Sequence, residues 1–214
     1  VGCMSFPVEE GLEGYFLITA HLLMSRGYML PLTLRYLALS ETVPVAGMMR
    51  AILNELCAEF SREIPGLDAT DKMGVYEFRE ELFVTSYTYP ERTYACVKRV
   101  ALRWIDDHMA NELDAASLKH RVVQLLTMDQ AFAPHVGATR EVIAHFDFDA
   151  NAVMDTLEGM ELPAPALFAH KPTDVGIHIP GGVGDIIKDP DGGVWIHAER
   201  SSSKAEHAAK LQPI

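Results

Sequence analysis

Apolar residues recur at spacings of three and four along roughly the first three quarters of the chain, the period at which side chains share one face of an α-helix. The clearest example is the stretch 93–113. Its apolar residues that fall on one face are Val97, Val100, Ala101, Trp104 and Ile105. We predict that this stretch is a central helix around which the other elements pack, with His108 projecting from its apolar face.

Residues that commonly begin or end helices mark the boundaries of further helices. Pro7 and Pro44 each precede an apolar-periodic stretch, Gly27 and Pro65 follow such stretches, and Asp149 is suited to cap a helix through its side chain. About seven helices result. Besides the central helix, helices are predicted at residues 8–26, 32–40, 45–63, 71–85 and 140–146 and at a segment that begins at Asp114 or Ser117, with a last turn or two capped by Asp149 and ending at Leu157.

After Leu162 the apolar period changes from that of a helix to that of a β-strand. Three short strands are predicted at residues 175–179, 183–187 and 194–198, with a turn at 189–193. The predicted fold is therefore mainly α, a multi-helix bundle-like domain followed by a small C-terminal antiparallel β-hairpin or meander. We assign residues 1–162 to the helical domain, 163–200 to a β appendage packed on it and 201–214 to a loose tail.

Composition and charge narrow the classes of partner. The chain is 49 % apolar and 22 % charged, as in globular proteins, and 30 acidic against 18 basic residues give a formal net charge of −12. Such a chain is repelled by phosphate backbones, so general nucleic-acid binding is not expected. The longest largely apolar run, residues 15–24, is about half of the roughly 20 residues that a membrane crossing needs, so no transmembrane segment is predicted.

The three cysteines are too few and too scattered for a disulfide framework or a zinc site of paired cysteines. Cys57 and Cys96 lie in apolar helical contexts, where buried thiols are expected. No basic-then-apolar leader opens the sequence. We expect a soluble intracellular protein of a reducing compartment, either the cytoplasm or an organelle interior.

One pattern on the central helix is also found in a nuclease family. Arg103 and His108 are separated by four residues, and Arg140 and His145 repeat the spacing. The pattern resembles the Arg-x4-His motif of HEPN ribonucleases, in which the arginine and histidine of a helix line a dimer cleft and act on the RNA 2′-hydroxyl and phosphate. The resemblance implies that Arg103 and His108 are catalytic, whereas a hydrogen-bonded core histidine is the structural interpretation of His108.

Residues 147–158 space their oxygen-bearing side chains as an EF-hand calcium loop does, with Met154 at the apolar position of that loop. However, Ala152 stands where the loop needs glycine. The alternative interpretation requires only that Asp149 caps a helix while Asp155 and Glu158 are solvated.

The predicted strands bring a second set of polar side chains together. A turn at 189–193 places Asp185 opposite His197, with Glu199 on the same face and His178 on the neighbouring strand. Two histidines with carboxylates form a recognisable metal or acid/base site. A shift of one residue in the turn separates them, and a solvated sheet face with a cross-strand ion pair is the alternative.

The ordinary signatures of zinc proteases, di-iron proteins, α/β-hydrolases and thioredoxin-like proteins do not occur in the sequence. We therefore predict a non-catalytic helical subunit or adaptor of a larger assembly, with other protein subunits as its partners. The alternatives are a metal-dependent enzyme with a site at His178, Asp185, His197 and Glu199, and the HEPN-like ribonuclease. A small-molecule binding module, with its ligand between helices, is a third class.

Overall fold

The computed structural model describes residues 7–26, 29–109, 114–133 and 140–179. Within these ranges the chain forms eight α-helices, a π-helical turn, a 3₁₀ turn and two antiparallel strands, so the predicted mainly α fold class is confirmed. The elements in chain order are α1 (Val8–His21), the π-helical turn (Leu22–Arg26), α2 (Pro31–Ser40), α3 (Val45–Phe60), α4 (Lys72–Glu77), α5 (Arg79–Thr88), α6 (Pro90–His108), α7 (Ala115–Phe132), β1 (Arg140–Phe146), α8 (Ala150–Glu158), the 3₁₀ turn (Pro165–Phe168) and β2 (Thr173–Ile179).

The helices pack as a continuous series of neighbours in the order α4, α1, α3, α6, α7, α2 and α8. The sheet lies against α7 and α8 through β2. On α3, Ile52, Leu56 and Phe60 recur every four residues and are fully buried, as the sequence period predicts. The core therefore runs along the helix series and ends under the sheet. None of the helices in the ranges given above combines the length and apolar character needed to cross a membrane.

Helix α6 is the central element that the sequence predicts, although its boundaries and one side chain differ. It begins at Pro90, because proline at the first helical position needs no backbone hydrogen-bond partner and already has the helical φ. Val97 and Ile105 are buried as expected. His108, the last residue of α6, is exposed and not buried, and its ring stacks on that of Trp104.

The predicted helix at residues 140–146 is wrong, because these residues form strand β1. Its register with β2 is antiparallel, with Val142 opposite Ile177 and Ala144 opposite Val175. Because successive side chains of a strand point to opposite faces of the sheet, Phe146 and the four residues of these two pairs face the core. A run of seven residues is too short for its period to distinguish helix from strand, so the pairing with β2 decides its structure.

Strand β2 confirms the predicted strand at 175–179. Its partner, β1, comes earlier in the chain, and the connection between the two strands includes α8. The pairing joins a strand of the predicted helical domain to a strand of the predicted appendage. The predicted strands 183–187 and 194–198, the turn at 189–193 and the tail lie outside the described residues.

The buried carboxylate of Asp129 on α7 caps helix α2. Leu30 occupies the N-cap position of α2 and has no capping side chain. Asp129 Oδ1 accepts a hydrogen bond from the backbone N–H of Leu32 at 3.0 Å, and Tyr94 on α6 donates its hydroxyl to the carbonyl oxygen of Asp129 at 3.2 Å. Three helices are thus connected through one fully buried aspartate.

Candidate functional site

A surface groove of about 410 Å³ lies where the segment after α3 meets the junction of α4 and α5. We call it the acidic groove. It is lined by Glu63, Ile64, Pro65, Phe78, Glu80, Glu81, Val84 and Thr85. The sequence shapes it locally, because α3 ends before Pro65 and because Phe78, with φ −84° and ψ 12°, interrupts the single helix predicted for residues 71–85.

The apolar wall of the acidic groove consists of Ile64, Pro65, Phe78 and Val84. Ile64 is 4 % exposed, whereas Phe78 and Val84 are half-buried and so present apolar surface to a ligand. Gly66 allows this arrangement. It has φ +93°, and a Cβ there would lie 3.4 Å from the Phe78 ring.

Three carboxylates, Glu63, Glu80 and Glu81, share the acidic groove with this apolar wall, and none of the described residues that line it is basic. Glu63 is paired with Arg92 at 2.6 Å, and the hydrogen bond from Arg92 lowers the pKa of the Glu63 carboxyl. Glu80 lies 3.3 Å from Arg79 Nη2. Glu81 has no ion pair with any other described residue. The groove therefore retains negative charge that the described part of the chain does not neutralise.

Two neighbouring arginines that are not among the lining residues each stack on the tyrosine three residues earlier in the sequence. Neither pair lies within one helix, since α4 ends at Glu77 and α6 begins at Pro90. Arg79 lies 4.5 Å above the ring of Tyr76 and donates from Nη1 to the Tyr76 carbonyl oxygen at 2.9 Å. Arg92 lies 5.3 Å above the ring of Tyr89. We call these pairs the tyrosine–arginine clusters.

Arg92 is the more strongly fixed of the two arginines. It donates from Nε to Glu59 Oε1 at 2.9 Å and from Nη2 to the Glu59 carbonyl oxygen at 3.1 Å, in addition to its pair with Glu63. It also lies 5.1 Å from the ring centre of Phe60. Hydrogen bonds to Glu63 and Glu59 raise the pKa of Arg92. The guanidinium of Arg92 is thus fully engaged by Tyr89 and by residues in and just after α3.

An exposed apolar strip on α1 continues the surface beyond the first tyrosine–arginine cluster. Val8, Tyr15 and Ile18 are 55 %, 40 % and 49 % exposed, and their spacing of seven and three places them on one side of α1. The ring of Tyr15 lies 5.0 Å from that of Tyr76. Tyr76 and the exposed residues of α1 therefore form an aromatic and apolar surface next to the first tyrosine–arginine cluster.

Of the predicted metal ligands, only His178 is among the described residues; Asp185, His197 and Glu199 lie outside them. His178 is half-buried on the outer face of the sheet, opposite Glu141. No group of three or more potential metal ligands occurs within the described ranges. The metal site stays a prediction.

The sequence analysis did not anticipate the histidine–aspartate pair on the outer face of this sheet. His145 Nδ1 donates to Asp174 Oδ1 at 2.7 Å, and both side chains are more than 70 % exposed. Asp174 and His178 alternate with the buried Val175 and Ile177, so they share the outer face. This pair depends on β1 being a strand and could not be found while residues 140–146 were assigned to a helix.

The two residues of the HEPN-like pattern, Arg103 and His108, are both exposed near the end of α6. Five positions apart on a helix, they are rotated by about 140° from each other. The His108 ring stacks on Trp104 at 4.1 Å and donates from Nδ1 to the Trp104 carbonyl oxygen at 2.8 Å. The structure thus does not bring Arg103 and His108 together within one chain, and the ribonuclease hypothesis stays a prediction. The repeat of the pattern, from Arg140 to His145, lies on strand β1 and not on a helix.

The calcium-loop interpretation of residues 147–158 is wrong, because α8 begins at Ala150 inside that stretch. Asp149 instead caps α8 and accepts a hydrogen bond from the backbone N–H of Ala152 at 3.3 Å, as the alternative interpretation predicted. Its other carboxylate oxygen pairs with Lys171. The Asp149 carboxylate, which the calcium-loop interpretation made a ligand, thus contacts Ala152 and Lys171 instead.

Comparison of the chain with models of protein families, with curated proteins and with solved structures found no match. The function is therefore inferred from the geometry of the surfaces described above.

Proposed function

We propose that the chain is a non-catalytic helical subunit or adaptor that docks onto another protein. The observation that carries the proposal is the acidic groove, in which half-buried apolar side chains lie beside three carboxylates, of which Glu81 has no ion pair with another described residue. Interfaces commonly combine an apolar patch with a polar rim. The exposed apolar strip of α1, whose Tyr15 contacts Tyr76, offers further apolar surface for a protein partner.

The ionisation of the groove supports docking over acid catalysis. A general acid at neutral pH needs a carboxyl whose pKa is raised. The pKa of Glu63 is lowered by its hydrogen bond from Arg92, so this carboxylate is ionised at neutral pH. It is thus suited to binding cations rather than to donating a proton.

Native mass spectrometry of the chain isolated from its own cells tests the proposal. We expect a stoichiometric complex with at least one different protein, because an adaptor is held by its partner. A benzoylphenylalanine introduced at Thr85 in the acidic groove should form a cross-link to that partner. The same group at Glu158, an exposed residue of α8 that does not line the groove, is the control. Isolation of the chain only as a bare monomer would overturn the proposal.

A metal-dependent enzyme with its site at His178, Asp185, His197 and Glu199 is the second candidate. The observation that favours it is the His145–Asp174 pair, which adds a histidine and a carboxylate to the sheet face that carries His178. Metal analysis of the purified chain separates the two candidates. A stoichiometric zinc ion that is lost on His178→Ala would favour the enzyme, and a metal-free chain would support the subunit.

A further inference from the structure

The charges of the acidic groove indicate what kind of partner segment it receives. Glu80 and Glu81 occupy the first turn of α5 on one side of the groove. Arg62 attracts the Glu63 carboxylate electrostatically. Arg79 stacks on Tyr76 and pairs with Glu80 at 3.3 Å. Arg92 stacks on Tyr89 and pairs with Glu59 and Glu63. An arginine engaged in this way is not free to neutralise Glu81. A cation from a partner is therefore the group that complements this side.

The apolar residues of the acidic groove complement an apolar side chain of a partner. Phe78 and Val84 are half-buried next to the buried Ile64, so they already pack on the core and lose little side-chain freedom when a ligand covers them. The distance along α5 between Glu80 and Val84 is one helical turn. Cationic and apolar contacts thus lie about 6 Å apart, which matches neighbouring positions on an amphipathic peptide.

We propose that the acidic groove binds a basic amphipathic segment of a partner protein, with an apolar side chain on Phe78 and Val84 and lysine or arginine side chains on Glu80 and Glu81. This inference rests on the proposed function and specifies its partner. The net charge of −12 would draw a basic segment toward the chain from a distance and raise the association rate.

A protein segment fits the groove better than other cationic ligands. The groove is an open surface feature, and its volume of about 410 Å³ lies at the lower end of the range of about 300–1,000 Å³ for sites that enclose a small molecule. The chain also exposes aromatic rings that do not line the groove, Tyr15 and Tyr89, which are 40 % and 41 % exposed. A peptide can extend over these rings, whereas a small cation cannot.

Fluorescence anisotropy with a short labelled peptide tests this inference on the full chain. The probe carries leucine at helical spacing among lysines. Its controls are a peptide with glutamate in place of lysine and a peptide with glycine in place of leucine. We expect only the lysine–leucine peptide to bind well. The double variant Glu80→Gln/Glu81→Gln should weaken its binding about 3- to 30-fold, the effect that loss of two partly exposed ion pairs implies.

The matched control is Glu9→Gln/Glu10→Gln. These two glutamates occupy the first turn of α1, as Glu80 and Glu81 occupy that of α5, so both variants lose the same charge and the same favourable contact with a helix N-terminus. Glu9 and Glu10 do not line the groove. We expect the control to change the dissociation constant less than about twofold. Circular dichroism melting of both variants establishes that each is folded.

The isosteric change Val84→Thr tests the apolar contact without a change in charge. This substitution should weaken the binding of the lysine–leucine peptide and leave the weak binding of the lysine–glycine peptide unchanged. If the two glutamine double variants weakened binding equally, the inference would be overturned, since the peptide would then respond to the net negative charge of the chain and not to a defined site. Binding of spermine with the same affinity and the same sensitivity to Glu80→Gln/Glu81→Gln would also overturn it, in favour of a small polyamine.

The outcomes also separate this inference from the proposed function. A stoichiometric complex of the native chain whose partner does not cross-link to Thr85 would refute the groove as the docking site and leave the subunit role intact. A chain found only as a bare monomer would refute the subunit role, whether or not the lysine–leucine peptide binds.

Discussion

The carboxylate of Asp129 near the end of α7 accepts two hydrogen bonds from Thr33 in the first turn of α2, although 96 residues separate them in sequence. Thr33 donates its backbone N–H at 3.0 Å and its hydroxyl at 2.7 Å to the same oxygen, Oδ2. The other carboxylate oxygen, Oδ1, accepts a hydrogen bond from the backbone N–H of Leu32. Without this carboxylate, two backbone N–H groups at the buried start of α2 would lose their acceptors.

We expect Asp129→Asn to lower the free energy of unfolding by about 2–4 kcal/mol, because an amide offers one acceptor oxygen and turns two donors toward groups that are themselves donors. Urea unfolding followed by circular dichroism measures the loss. The control is Asp107→Asn on the exposed side of α6, which should change stability by less than about 0.5 kcal/mol. Equal effects of the two substitutions would contradict the capping role of Asp129.

A second prediction concerns Gly47 on α3, whose lack of a side chain admits the ring of Trp104. A Cβ at Gly47 would lie 2.5 Å from Trp104 Cζ2 and 2.7 Å from Cη2. Gly47→Ala therefore forces the ring to move, and we expect a net loss of about 1–2 kcal/mol even though alanine favours a helix. Gly11→Ala and Gly14→Ala on α1 meet no atom within 4 Å and should stabilise by about 0.5–1 kcal/mol. Thermal unfolding of the three variants tests this, and a stabilised Gly47→Ala would refute the contact.

Asp149 should contribute to stability in a pH-dependent way. The hydrogen bond from Lys171 is the main reason why the pKa of Asp149 is lowered from 3.8, and the backbone N–H of Ala152 lowers it further. A lowered pKa in the folded state means that the contribution is present above the unfolded value and is lost as the pH falls through the folded value.

Asp149→Ala should cost about 1 kcal/mol at neutral pH because it removes the helix cap, and Asp149→Asn should cost less because asparagine also caps helices. The stability difference between the native chain and Asp149→Asn should shrink below pH 3.8, where the lost charge no longer matters. Urea unfolding at neutral and acidic pH measures both effects. A difference that does not change with pH would show that Lys171 adds nothing.

The predicted burial of the thiols of Cys57 and Cys96 is confirmed, and it has a chemical consequence. Burial raises the pKa of Cys57 to about 12 and that of Cys96 to about 11, from 9.0 in both cases. Since the thiolate is the reactive form, the folded chain should not react with Ellman's reagent at these positions near neutral pH. Cys3→Ser provides a background in which only these two thiols remain.

In that background we expect no rapid labelling of the folded chain and labelling of both thiols in denaturant. The raised pKa values also predict that stability falls as the pH rises above 9.0, since the unfolded chain then releases protons that the folded chain retains. Rapid labelling of the folded chain at either position would show that the helices around it open readily.

The sequence alone identified the elements whose structure is determined by local periodicity and by residues at their ends. Apolar residues every four positions predicted α3, Pro44 marked its start, and Asp149 was recognised as the cap of α8. These assignments hold because side chains three or four positions apart meet on a helix whatever else the chain does, and because proline and a capping carboxylate act on neighbouring backbone.

Contacts between residues that are distant in sequence were decided by the tertiary structure. Residues 140–146 form a strand because β2 pairs with them, and Asp129 is a cap because α7 carries it to the start of α2. The acidic groove likewise requires the segment after α3 to meet α5. Nothing in the local sequence distinguishes Glu80 and Glu81 from other exposed glutamates, so only the folded chain reveals that they lie beside Phe78 and Val84. Local order follows from the sequence period, whereas a site is formed by packing, which brings residues together across any distance along the chain.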